Sequence, residues 1–219
     1  KVIEQRGVEE FEAQNALSLY NEIFDVKTLF KRIGKELTTA VQQMQYISET
    51  LCLPQPAELK LETSGMFRKS AKTGQDPRML MTWKLLAESK AKRQKVSQPF
   101  NQERRNEVVA ALVRALHDNR STENTVKEIL AAEGIAFCIE EKVDKASVDG
   151  YSYIEDGIPY IILTRRYDRI DNFAFALMHE VGHIYLHYLD GRRSDCKLSI
   201  PDYDNESAEE KEANAFAAN

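Results

Sequence analysis

Three of the four histidines in this chain fall within nine residues, at His179, His183 and His187. The first two enclose His179-Glu180-Val181-Gly182-His183, an H-E-x-x-H pattern. On a helix, residues four apart share a face with side chains about 6 Å apart. Two imidazoles so placed can converge on one Zn2+ at about 2 Å each. Glu180 follows the first histidine directly, so its carboxylate can reach a water held at the metal without taking a coordination position. A chain of this length shows the pattern by chance about once in two hundred, so its context decides. Here it lies in a periodic helical stretch with Phe173, Ala176, Leu177 and Ile184. A histidine pair on the buried side of such a helix is unsatisfied without a metal or polar partners.

A catalytic zinc site takes three protein ligands and keeps one open position. His187 does not fit as the third, because eight residues from His179 is about 12 Å along an α-helix. The longer H-E-x-x-H-x-x-G-x-x-H spacing would place its last histidine at Leu189. His187 is therefore read as a pocket-rim or structural residue. The remaining candidates are Glu206, Glu209, Glu210 and Glu212, in the last helical run. For the first three the expected role is a solvated acidic face, since acids favour the positive end of a helix. Glu212 stands beside Ala213, Ala215, Phe216 and Ala217, small enough a run for close packing, and is the expected ligand. Glu209, one turn earlier on nearly the same face, stays open as a substitute, with Asp195 and Asp202 remoter options.

The elements that position these residues follow from periodicity. Apolar residues recur at three- and four-residue steps from Phe11 to Ile47, with Gly34 as a break and Pro54 and Pro56 as an end. Residues 53–77 are rich in Pro, Gly, Ser, Thr and Lys and read as a linker or irregular connection. Helical spacing returns around Met79–Leu86, Val108–Leu116 and Val126–Leu130, the last with Ser121 at its start and Gly134 at its stop. The period then changes. Ile135–Glu140, Val148–Glu155 and Ile158–Thr164 read as strands, with Asp156-Gly157 marking a hairpin between the last two. A long helix is expected from about Ile170 to Leu189, then a loop over 190–205 and a final helix from near Glu206. The layout is α+β: a helical N-terminal half, 1–104, and a domain over 105–219 with a small sheet.

Composition sets outer bounds. The 219 residues are 42% apolar and 30% charged, with thirty Lys and Arg against thirty-five Asp and Glu and a formal charge of −5. That balance excludes a chain that binds polyanions through its overall charge. Seven basic residues against two acids between Lys84 and Arg105 make a local patch. Without interleaved aromatic residues for stacking, it reads as a solvated face. Cys52, Cys138 and Cys196 are odd in number and far apart, which suits a reducing cytoplasm rather than a disulfide framework. No run approaches a membrane span, and no basic-then-apolar leader opens the chain. The start at Lys1 without Met and the stop at Asn219 inside a helical run lead us to expect a piece of a longer protein.

The stretch Asn172-Phe-Ala-Phe-Ala-Leu-Met-His-Glu-Val-Gly-His-Ile-Tyr-Leu-His187, followed by Glu212-Ala-Asn-x-Phe-Ala217, resembles the ImmA/IrrE-type metallopeptidases. The resemblance implies a zincin-like fold in which His179, His183 and Glu212 hold zinc and Glu180 is the catalytic base. It is specific over about 105–219. It is loose over 17–104; Met66–Ser70, Leu80 and Trp83, with the Val148–Thr164 hairpin, resemble proteins where this peptidase follows a helix-turn-helix, as in HigA-like antitoxins and phage-type regulators. Any contact with DNA is then expected through a segment before Lys1. The apolar end that most members carry past this motif is absent, in keeping with a C-terminal truncation.

The expected function is zinc-dependent endopeptidase activity in regulation, with a repressor or antitoxin-like protein as substrate. Tyr151, Tyr153 and Tyr203 are unranked candidates for the oxyanion donor. A homodimer is compatible with this expectation. The alternative is an antitoxin-like regulator, a binding module that keeps the peptidase fold for sensing a partner or a metal.

Overall fold

Short polar residues at the right places start and stop the N-terminal helices. In this computed structural model, which describes residues 2–63, 74–165, 169–188, 198–199 and 207–218, helix α1 spans Val2–Tyr20. Helix α2 (Val26–Ile33) opens at Asp25, whose carboxylate accepts the Thr28 N–H at 2.7 Å. It closes at Gly34, whose φ of +72° suits the left-handed cap. Helix α3 (Ala40–Glu49) begins with a capping box between Thr39 and Gln42.

Helix α4 (Pro56–Glu62) forms inside the stretch expected to be a linker. Its proline sits at the first helical position, where a missing N–H costs nothing, and Leu59 is buried. Pro56 thus starts a helix as well as ending the earlier run. The Met66–Ser70 stretch lies outside the described residues. Helix α5 (Pro77–Ala91) carries Leu80 and Trp83, both fully buried.

The chain divides into two compact units, residues 1–89 with 143–147, and residues 90–142 with 148–219. The division falls fifteen residues before the expected 104/105 boundary, for a local reason. Residues 90–104 are bonded to the second unit: Lys90 Nζ donates to Ile139 O at 2.5 Å, Ser97 N to Ala131 O at 2.9 Å, and Arg104 pairs with Glu133 at 3.2 Å. Lys92 pairs with Glu155 at 2.9 Å, and within the first unit Lys84 pairs with Glu88 at 2.5 Å. Much of the basic patch is therefore matched by carboxylates.

The second unit is α+β. After a single 3-10 turn at Gln102–Arg104 come α6 (Arg105–Asp118) and α7 (Thr122–Ala132). Ser121 precedes α7 as expected, though its side chain makes no cap and its φ is +49°. Strands β1 (Ala136–Glu141), β2 (Gly150–Glu155) and β3 (Ile158–Arg165) follow. Then come α8 (Ile170–His183), a π-helical turn (Ile184–Tyr188), the two-residue β4 (Leu198–Ser199) and α9 (Ala208–Ala218).

The sheet order is β1-β3-β2-β4. The β1–β3 pair is parallel, and β2 runs antiparallel to both β3 and β4, so the sheet is mixed. Asp156 and Gly157 both have positive φ, +52° and +76°, as a two-residue hairpin turn matching the strand twist requires. The apolar β3 takes the interior position its composition suggests. Leu112, Val126, Leu130, Phe137, Ile161, Leu163, Leu177 and Val181 join in one core, so α6, α7 and α8 cover the sheet. Cys138 is buried, and burial pushes its thiol up to about 12, which leaves it inert. Among the described residues no helix is long and apolar enough to cross a membrane.

Gly134 ends α7 with φ +75°, and a Cβ there would lie 2.4 Å from Phe100 N and 2.7 Å from Gln98 O. Both neighbours are backbone and cannot swing away. Gly134→Ala is expected to cost about 2 kcal/mol or more, read as a lowered urea midpoint. Gly157→Ala, with positive φ but nothing within 4 Å, is expected to cost only about 1 kcal/mol. Equal midpoints for the two variants would contradict this packing.

Candidate metal centre

His179 and His183 lie one turn apart on α8, and the pattern does what its spacing predicts. Their Nε2 atoms are 3.0 Å apart, with the rings at 86° to each other. His183 is fully buried and His179 is 8% exposed. The carboxylate that meets them is that of Glu210: its Oε2 is 3.2 Å from His179 Nε2 and its Oε1 3.5 Å from His183 Nε2. His179, His183 and Glu210 form a group of donors within 4.8 Å of one another.

Glu212, the expected third ligand, is not in that group. Its Oε2 is 3.2 Å from His187 Nε2, and its side chain is 46% exposed. The reason lies in the face that α9 buries. Ala213 is fully buried, and Phe216 lies over Gly182 of α8, where a Cβ would meet its Cδ1 at 3.1 Å. Stepping back three or four residues from Ala213 and Asn214 leads to Glu210. Glu212 is rotated from Glu210 by about 200°. Glu209, held open as a substitute, is likewise absent from the group. Glu206, Asp195, Asp202 and Tyr203 lie outside the described residues, as does Cys196.

Each imidazole is also held from behind. His179 Nδ1 is 2.9 Å from Asn214 Oδ1, one turn after Glu210 on α9. An amide oxygen only accepts, so this contact fits a proton on His179 Nδ1, the tautomer that presents the Nε2 lone pair inward. His183 Nδ1 is 2.9 Å from Nδ1 of His187, which is fully buried. The sequence reading gave neither contact. It extended the α-helix to Leu189, whereas the backbone widens into a π turn after His183. Four residues overshoot a turn of an α-helix but fall short of a π turn, so the sideways drift is reversed. His187 thereby stays in line behind His183.

Glu180 is 1% exposed. Its Oε2 accepts the Ser152 hydroxyl at 2.6 Å, and Oε1 has no hydrogen-bond partner among the described residues. Strand alternation sets this geometry. Gly150 and Ser152 face Glu180, whereas Tyr151 and Tyr153 stack with each other at 5.1 Å on the opposite face of β2. That excludes these two tyrosines as oxyanion donors. Tyr188, in the π turn, donates its hydroxyl proton to Ser152 O and ties β2 to the helix end.

The electrostatics suit a cation. Burial works against charge on His179, yet the bonded Glu210 and the nearby Glu180 lift its pKa above the usual imidazole value. Burial alone would raise Glu210, but His179 and His183 hold it well below the usual carboxylate range. Inward-turned lone pairs 3.0 Å apart repel unless a proton or a cation lies between them. The orphaned Glu180 Oε1 is the kind of buried acceptor that calls for a water. Two imidazoles and one carboxylate, with a second carboxylate left over, are the donor set that zinc hydrolases use, and the residues fit that ion.

A Cβ at Gly150 would lie 2.4 Å from Glu180 Oε1 and 2.8 Å from its Cγ. Gly150→Ala is expected to lower stability by about 1–3 kcal/mol in urea unfolding. Gly150→Ala combined with Glu180→Ala removes the clashing atoms, so the double-mutant cycle should return a coupling of at least about 1 kcal/mol. Additive losses would refute the contact.

Residues 132–219 match the family Peptidase_M78, the IrrE N-terminal-like domain, a span holding β1 to β4, α8 and α9. No curated protein and no solved structure matches the chain. The matched span, residues 132–219, is thus similar to the IrrE N-terminal-like domain of the peptidase family.

Proposed function

We propose that this domain is a zinc-dependent endopeptidase that cleaves a regulatory protein of the repressor or antitoxin class. The observation that carries the reading is the convergence of His179, His183 and Glu210 beside a buried Glu180 with one unengaged oxygen. His179 Nε2, His183 Nε2 and the Glu210 carboxylate would hold the ion. Zinc bound there supplies Lewis acidity toward a water and toward the scissile carbonyl.

The rest falls to the chain's own groups. Ser152 occupies Glu180 Oε2, so Oε1 is the atom that accepts the water proton as the oxygen attacks the carbonyl carbon. The same oxygen hands the proton to the amine nitrogen as the C–N bond breaks. Burial keeps Glu180 from exchanging that proton with bulk water.

Incubating the zinc-loaded chain with the products of neighbouring genes, followed by mass spectrometry for cut fragments, tests the reading. The parent is expected to bind one zinc and to cleave. Glu180→Gln should keep zinc and cleave at least about 100-fold more slowly. Glu210→Ala should lose zinc under conditions in which Glu209→Ala retains it. Zinc uptake with tight partner binding and no cleavage would replace this proposal with a regulatory binding module. Full cleavage by Glu180→Gln would overturn the assigned base.

A further inference from the structure

We infer that His187 and Glu212 are positioning residues that fix the tautomer and orientation of His183 through a directed hydrogen-bond relay. The inference rests on the zinc-site reading above and concerns groups that do not touch the ion. Along the relay, Glu212 Oε2 lies 3.2 Å from His187 Nε2, and His187 Nδ1 lies 2.9 Å from His183 Nδ1.

Donor and acceptor identities follow from one end. An ionised carboxylate can only accept, so His187 Nε2 carries a proton and donates it to Glu212. In a neutral imidazole the other nitrogen is then an acceptor, so His187 Nδ1 takes the proton of His183 Nδ1. His183 Nε2 is left bare, and it is the atom 3.0 Å from His179 Nε2. The opposite polarity would put a proton on His183 Nε2, pointing into the cluster where a ligand must present a lone pair.

His183 and His187 are both fully buried, so bulk water cannot supply the missing bond if either partner is removed. A carboxylate acting through an imidazole also makes the ligand nitrogen more basic than an amide does. The two histidines are thus supported unequally: His179 leans on the neutral Asn214, and His183 on a chain that ends in a charge.

Zinc affinity, measured by competition with a chromophoric chelator, together with the visible spectrum of the cobalt-substituted protein, reads the relay without any substrate. Glu212→Ala is the main variant, because its side chain is half-exposed and its loss leaves the core intact. It is expected to weaken zinc binding 10–100-fold and to shift the cobalt bands. His187→Leu should do the same. His187→Asn, which restores an acceptor near the position of Nδ1, should recover most of the affinity. Long-range 1H–15N spectra of the zinc-loaded parent should show His183 protonated at Nδ1.

Parent affinity and unshifted cobalt bands in both Glu212→Ala and His187→Leu would overturn the relay, as would His183 protonated at Nε2. Should His187→Leu fail to fold, Glu212→Ala decides alone. A parent chain that takes up no zinc would instead overturn the metal-centre reading, and the relay with it.

Discussion

The close approach of α9 to α8 is the constraint on which the site depends. Imidazoles one turn apart on a single helix can face each other, but a third donor must come from elsewhere and within a few ångströms. Gly182 and Ala213 make that approach available: one has no side chain where Phe216 packs, and the other is small and fully buried. A larger side chain at either place would lift α9 away and carry Glu210 out of reach of His179 and His183. The small residues therefore act as distance-setters for a carboxylate they do not touch.

The sheet sets the second distance. Glu180 sits on the face of α8 that meets β2, and burying a carboxylate there requires both space and a donor. Gly150 gives the space and Ser152 the donor, two residues apart on one face of the strand. Because β2 is paired with β3 over its whole length, the position of Ser152 is locked by register. Tyr188 adds a tie from the π turn to the Ser152 carbonyl, so strand and helix end cannot slide independently.

What was legible in the sequence was whatever depended on a local repeat. The H-E-x-x-H spacing gave the imidazole pair and the neighbouring Glu180. The Asp156-Gly157 dipeptide gave the hairpin. Illegible were the features set by how far one element turns relative to another. Choosing Glu212 over Glu210 required knowing which face of α9 is buried, and proximity to alanines is a poor guide when a two-residue step crosses the helix. Ala213 and Asn214 did carry the signal, since both point back to Glu210 by helical steps. His187 is structural rather than at a pocket rim, and its place behind His183 was illegible because no residue between Ile184 and Tyr188 announces a π turn. In the basic run at Lys84–Arg105, the pairings of Lys90, Lys92 and Arg104 with Glu140, Glu155 and Glu133 are remote in sequence and were illegible for that reason.

One consequence concerns how the site assembles. Helix α9 contributes Glu210 to the imidazole pair, Asn214 to the back of His179 and Glu212 to the back of His187. The carboxylate at the imidazole pair and two rear supports thus depend on a single helix of 11 residues, a length at which an isolated helix is marginal in water. Its apolar anchorage is modest, resting on Ala213, Phe216 and Ala217. Docking of α9 therefore brings the third donor to the imidazole pair, and a cation bound by His179, His183 and Glu210 would stabilise that docking in turn. The coupling runs in both directions: whatever displaces α9 takes away the Glu210 carboxylate and both rear supports together. A site built this way is lost or gained as a unit, while Ser152 of β2 holds Glu180 independently of α9.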